Sequence, residues 1–206
     1  MPAIMSLDQY LLLCLYIIAL TGTPGPANVA FLAYGSTYGV RRTVPFWLGT
    51  LFGFSMIYVL AVAGLLAIVT GLPWLWNALR VACLGYIVYL AWTIAMASPR
   101  PVDAPMPADS RAPGFLRGFW VHPLNPKAYA MQIAAISQFV SPERYVADAT
   151  TIAITFFCLG GAVNFGWIAG GRILARLANS PLRFRIVNGT LAALMLVSTA
   201  VSLQMA

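Results

Sequence analysis

Apolar positions run in long blocks along this chain rather than alternating with polar ones. Six blocks can be read, covering about 8–35, 44–70, 74–97, 114–140, 147–170 and 187–205. Each is close to the roughly 20 residues an α-helix needs to cross a bilayer. Backbone polar groups in lipid must be paired within their own segment, so the blocks are expected to be helices. A membrane barrel would show alternating strands of about ten residues, and these blocks do not alternate. Two blocks are interrupted. Pro24-Gly25-Pro26-Ala27-Asn28 splits the first, and Pro123-Leu124-Asn125-Pro126-Lys127 splits the fourth. Between the third and fourth lies a loop, 98–113, whose Pro99, Pro101, Pro105, Pro107 and Pro113 exclude a continuous helix.

Composition sharpens this picture. Of the 206 residues, 61% are hydrophobic and 8% charged, against roughly 25% charged in a soluble domain. So few charges cannot cover a water-facing surface, and so apolar a chain is not disordered. The fold class expected is all-α: a polytopic membrane protein forming one transmembrane domain over 1–206. Its halves are about 1–97 and 114–206. Cys14, Cys83 and Cys158 stand in apolar runs without metal-ligand spacing and read as small apolar core residues, so no disulfide, metal or cofactor is expected. The start of the chain has no basic stretch, and Asp8 precedes the first block, which disfavours a cleaved leader.

The net charge of +7 invites a nucleic-acid reading, but the positions of the charges decide against it. Arg41, Arg42, Arg100, Arg111, Arg117, Arg172, Arg176, Arg183 and Arg185 fall in or beside loops one, three and five. The opposite side holds Arg80 and Arg144. Nine against two is a positive-inside bias, placing the odd loops in the cytoplasm and both termini outside. The bilayer is therefore the partner that explains the basic residues. Gly49 and Gly53 have G-x-x-x-G spacing, as do Gly166 and Gly170. Such faces serve packing within the chain or a homo-oligomer. Trp47, Trp74, Trp76, Trp92 and Trp120 lie near block ends, where interfacial anchors sit.

The paired breaks carry the functional signal. They occupy corresponding places in two halves of three spans each, so one half lies inverted relative to the other. Interrupted helices at matched positions point to a binding site at the repeat interface. The helix restarting after each break directs its N-terminal amides inward, which suits an anionic group such as a substrate carboxylate. The candidate binding residues are Pro24, Gly25, Pro26 and Asn28 from the first break, with Asn125, Pro126 and Lys127 from the second. Two readings of Lys127 stand, a site residue or a side chain snorkelling to the interface. Asn164 caps a neighbour or lines the cavity, and Gln132 and Gln138 share that ambiguity. His122, the single histidine, is a structural hydrogen-bonder or a proton relay. Tyr34 and Tyr86 read as packing residues.

At these residues the chain resembles the LysE/RhtB amino-acid exporters. The likeness rests on Pro24-Gly25-Pro26 followed by Asn28, the glycines Gly49 and Gly53, and the element from Gly85-Tyr86 to Trp92. It continues with Asn125-Pro126-Lys127, Gln138-Phe139, Asn164 to Trp167, and Asn188-Gly189. Within the family it is most similar to the branch exporting cysteine and O-acetylserine. The resemblance implies a six-helix protein of the bacterial inner membrane that expels amino acids, driven by the proton gradient. One departure matters: Ala27 stands where many members carry Asp directly after the motif. No carboxylate lies inside an apolar block, since Asp8, Glu143 and Asp148 sit at block ends. Coupling would then fall to His122, an end carboxylate or the substrate.

The same absence bears on cargo. A cationic amino acid would need a buried acidic partner, and moving one net charge against the membrane potential costs about 2.3 kcal/mol per 100 mV. A zwitterion avoids both, which favours neutral cargo of the cysteine/O-acetylserine or homoserine/threonine kind. The expected function is thus secondary export by alternating access, without enzymatic chemistry. A passive channel is the rival reading, although a pore should show polar rings along several helices. A membrane-embedded lipid enzyme would need an acid/base or metal cluster, which five acids and one histidine do not supply.

Overall fold

The computed structural model describes residues 4–64, 71–97, 112–178 and 180–205. The proline-rich loop up to residue 111, with Arg100 and Arg111, lies outside the described residues, as do 65–70 of the second block and the side chain of Trp76. Among the described residues every regular element is helical.

The first block folds as α1 (Leu7–Gly22) and α2 (Pro26–Tyr38). Ser6 and Gln9 close a reciprocal capping box on α1, and Asp8 sits in its first turn, where a negative charge suits the helix dipole. Pro24 disfavours helical geometry at the preceding residue, and Thr23 is extended. The two helices meet at 62°. Gly39, at a φ of 77°, turns the chain from α2 straight into α3 (Val40–Val62). Then come α4 (Pro73–Ala95), the short α5 (Phe115–Phe119) and α6 (Pro126–Phe139). A 3-10 turn (Pro142–Arg144), α7 (Tyr145–Thr155), a π-helical turn (Phe156–Gly160) and α8 (Gly161–Leu177) form one continuous run, and α9 (Pro181–Met205) ends the chain.

Four of these are long and apolar enough to cross a membrane: α3, α4, the run Pro142–Arg176, and Pro181–Val201 of α9. The bent pair α1–α2 makes a fifth. The fourth block falls short, because the 14 residues of α6 reach only about 21 Å at 1.5 Å per residue, against a hydrocarbon core of about 30 Å. Six blocks thus become four to five candidate spans. Elsewhere the helices outrun their blocks: α3 begins at Val40 and α9 at Pro181. Hydropathy excludes Arg41, Arg42, Arg183 and Arg185, but the backbone continues helical through them, and long basic side chains reach for the headgroups.

Large apolar side chains cover the outside. Leu15, Val81, Trp92, Val146 and Ile173 are all exposed, as lipid-facing residues must be. Inside, one core joins Phe31, Phe46, Ile87, Leu90, Ile168 and Met195. A second joins Leu13, Ile17, Tyr58, Met131, Ile152 and Phe156. The tightest seams are glycine seams. A side-chain carbon at Gly49 or Gly53 would stand 2.0 Å from the carbonyl oxygen of Phe115 or Phe119. One at Gly118 would stand 1.9 Å from that of Phe46. The G-x-x-x-G face of α3 therefore seats α5, the element that leads into the second break.

Three expectations are corrected here. Gly166 has no neighbour to press against, and Gly170 meets only the end of Leu32. The seam between α2 and α8 runs instead through Gly35 and Gly171, each backed directly on the other helix's carbonyls. Trp47 is not an interfacial anchor, because its indole donates to the carbonyl of Gly161 at 3.1 Å inside the bundle. Trp74, Trp92 and Trp120 are exposed as anchors would be. Cys83 is buried, but Cys158 is exposed and is no core residue.

Candidate functional site

The first break is held together by side chains. Pro24 and Pro26 lack amide hydrogens, so carbonyls near the break lose their helical partners, and each unpaired carbonyl in an apolar interior is costly. Asn28 donates its Nδ2 to the carbonyl of Thr21 at 2.7 Å. Lys127 reaches across from the second break and donates its Nζ to the carbonyl of Thr23 at 2.9 Å. Beyond the break α2 restarts with Gly25 as N-cap, which offers no side chain to the first free amides. The backbone amides of Ala27 and Asn28 stand at an uncapped, positively polarised helix end.

The second break is closed differently. Tyr129 donates its hydroxyl to the Pro123 carbonyl at 2.7 Å. Asn125 is the N-cap of α6, its Oδ1 accepting from the amide of Lys127 at 3.1 Å. The start of α2 thus lacks a side-chain cap, whereas the start of α6 has one. Gln132 donates to the carbonyl of Phe54 at 2.9 Å, tying α6 to α3. Gln138 is exposed at the end of α6.

Between the breaks lies a cavity lined by Gly25, Asn28, Asn125, Lys127, His122 and Asn164. It contains about 550 Å³ of space between atoms, of which about 40 Å³ is open to the centre of a water molecule. The three prolines do not line it: Pro24 is exposed, while Pro26 and Pro126 are buried in the helix starts they create. The Lys127 side chain points inward, to the first break. Its Nζ lies 3.3 Å from where a Gly25 side chain would begin, with the Oδ1 of Asn28 at 3.6 Å from the same point. His122, almost fully buried, stacks edge-on against Phe54 at 5.1 Å, and its Nδ1 has no partner.

Sequence reasoning missed part of this wall. Thr21 and Ser55 line the cavity, and so do Phe156, Phe157 and Gly160 of the π-helical turn. A glycine pair after two phenylalanines was the available signal, but a π turn changes backbone register without changing hydropathy. Tyr34 and Tyr86 pack, as expected, and also bond: Tyr34 pairs with Thr93, and Tyr86 donates to the Arg117 carbonyl.

Among the described residues no aspartate or glutamate lines the cavity. Asp148, the buried acid at the start of α7, is occupied elsewhere. It accepts from the amide and hydroxyl of Ser141 at 3.1 and 3.0 Å and from Arg144 at 3.3 Å. An ammonium and an uncapped helix N-terminus therefore converge at Gly25 without a protein counter-charge, which is the electrostatic make-up of an anion site. No group of three or more His, Cys, Asp or Glu able to hold a metal occurs among the described residues.

The chain is 27% identical over 163 residues to the cysteine/O-acetylserine efflux protein of Escherichia coli strain K12, covering 79% of this chain and 82% of that protein. The protein of the same description from Shigella flexneri serotype 5b matches to the same extent. That from Escherichia coli O139:H28 is 26% identical over the same length. No solved structure matches significantly. The profile of the LysE type translocators matches residues 18–205, nearly the whole chain. The apolar helical bundle and this match together identify a multi-pass membrane protein: the chain belongs to the LysE translocator family.

Proposed function

We propose that the protein exports small neutral amino acids, of the cysteine and O-acetylserine kind, across the bacterial inner membrane by alternating access around the cavity between the two breaks. The observation that carries this reading is the meeting of Lys127 with the uncapped start of α2 at Gly25, with no acid among the described residues of the cavity. The cargo's carboxylate supplies the missing negative charge. Asn28 Oδ1, Asn164 and Ser55 are the acceptors within the cavity for its ammonium. Pro24, Pro26 and Pro126 act through the backbone, by opening the helices. A zwitterion leaves the net charge carried at zero, so export does no work against the potential.

In this reading the chain is one domain making six passes. The first three are α1–α2, α3 and α4; the second three are α5–α6, α7–α8 and α9, inverted relative to the first. The arginine bias sets both termini outside. Lys127 links the two halves through the Thr23 carbonyl. A bound carboxylate replaces that carbonyl as its partner and frees the halves to rock. Among the described residues His122 and Lys127 are the titratable side chains on the cavity, and proton coupling in this reading runs through them.

The test is efflux from cells loaded with single amino acids, comparing expressing with deleted strains. Export of cysteine, serine or threonine, collapsed by an uncoupler, is expected. Efflux of arginine or lysine with neutral amino acids ignored would contradict the reading.

A further inference from the structure

We infer that the π-helical turn Phe156–Gly160 forms the subsite for the cargo's side chain, with Gly160 setting its upper size. The inference rests on the export reading above and adds the residues that choose among neutral cargos. The cavity has two kinds of wall. The polar wall, from the two breaks together with Ser55 of α3 and Asn164 of α8, meets the groups every amino acid shares, the carboxylate and the ammonium. The apolar wall includes Leu51 and Phe54 on α3 and Phe156, Phe157 and Gly160 on the π turn, with further apolar residues from α1, α2 and α6. It can distinguish cargos only by their side chains.

The π turn is built to hold that wall still. Phe156 is buried between Phe54 at 5.0 Å and Tyr16 at 6.5 Å. Trp47 donates to the carbonyl of Gly161 just beyond it. π turns are rare, and they concentrate at functional sites. At Gly160 an added carbon would lie 3.5 Å from Thr21 and 3.7 Å from both Ile17 and Phe156; Thr21 and Phe156 line the cavity. A methyl group fits there without a clash and takes up cavity space. The room open to a water's centre, about 40 Å³, is small beside the roughly 300–1,000 Å³ of ordinary ligand pockets. In so small a space one methyl group at this wall is expected to change what is accepted.

The experiment measures efflux of alanine, serine, cysteine, threonine, leucine and phenylalanine from loaded cells carrying wild type, Gly160→Ala or Phe157→Ala. Wild type is expected to export the small cargos and leave leucine and phenylalanine. Gly160→Ala is expected to lower threonine relative to alanine by about tenfold, the discrimination a single methyl group supports. Phe157, half exposed against Phe52, can be truncated with little loss of core, and Phe157→Ala is expected to raise leucine relative to alanine. The ratio between cargos is the readout, because poor insertion lowers all of them alike. If Gly160→Ala fails to insert, the Phe157→Ala ratio decides. Wild-type export with unchanged ratios in the inserted variants overturns the inference and leaves the export reading standing. A wild type that exports no amino acid overturns the export reading itself, and this inference with it.

Discussion

Lys127 and Thr23, 104 residues apart in sequence, are joined by a hydrogen bond of 2.9 Å from the ammonium of one to the backbone carbonyl of the other. The bond exists because Pro24 and Pro26 interrupt the first helix and leave a carbonyl exposed to the interior. It is also why the two breaks lie together. A neutral carbonyl is a weaker partner for an ammonium than a carboxylate, since the carboxylate adds the Coulomb attraction of an opposite charge. The link is therefore one that a carboxylate cargo can displace.

Replacing Lys127 separates the charge from the fold. Lys127→Ala removes the anion partner and should lower export about 100-fold, in keeping with a charged hydrogen bond worth about 1.5–3 kcal/mol. Membrane insertion, followed by the amount of protein in the membrane fraction, should be unchanged. Normal export by this variant would make Lys127 a structural tie only.

Asn125 offers a sharper contrast. Its side chain caps α6, so Asn125→Ala should lower stability by about 1 kcal/mol, read as a drop in thermal midpoint in detergent. Asn125→Asp keeps the cap but places a carboxylate on the cavity wall beside Lys127. It should preserve the melting temperature and abolish export by occupying the anion site from within. Full export by the aspartate variant would contradict an anion site at this position.

Asn28 donates to a carbonyl that has lost its helical partner. Asn28→Leu leaves that group unpaired in a buried place, at a cost of about 1–3 kcal/mol. A melting temperature equal to wild type would show that another group satisfies Thr21.

The seam between α3 and α5 has no room for a side chain. Gly49→Ala and Gly53→Ala each force a carbonyl to move from 2.0 Å, and overpacking of this kind destabilises by about 1–3 kcal/mol. Because α5 leads into the second break, both variants should also reduce export of every cargo to a similar degree. Wild-type stability in both would mean the seam is looser than its geometry.

Much of this arrangement is legible in the residues themselves. Proline's missing donor is a local fact, so the breaks at Pro24–Pro26 and Pro123–Pro126 can be placed without coordinates. G-x-x-x-G spacing found the α3 seam at Gly49 and Gly53. It missed Gly35 and Gly171, because a contact made by one glycine on each helix leaves no spacing to read. Asn28 and Asn125 were legible as members of the site but not as caps and carbonyl partners, since that depends on side-chain direction. Trp47 was misread because tryptophan near a block end usually faces headgroups, and only the packing of α3 against α8 turns its indole inward. The π turn was invisible, as its backbone register leaves no trace in hydropathy.

The central claim is that a carboxylate binds where Lys127 meets the start of α2. The most direct test is binding to the purified protein by calorimetry, comparing L-serine with L-serinamide, which keeps the ammonium and side chain but lacks the carboxylate. The account expects serine to bind, serinamide not to bind, and serine binding to vanish in Lys127→Gln. Equal binding of the two ligands, or serine binding undiminished in Lys127→Gln, would contradict it.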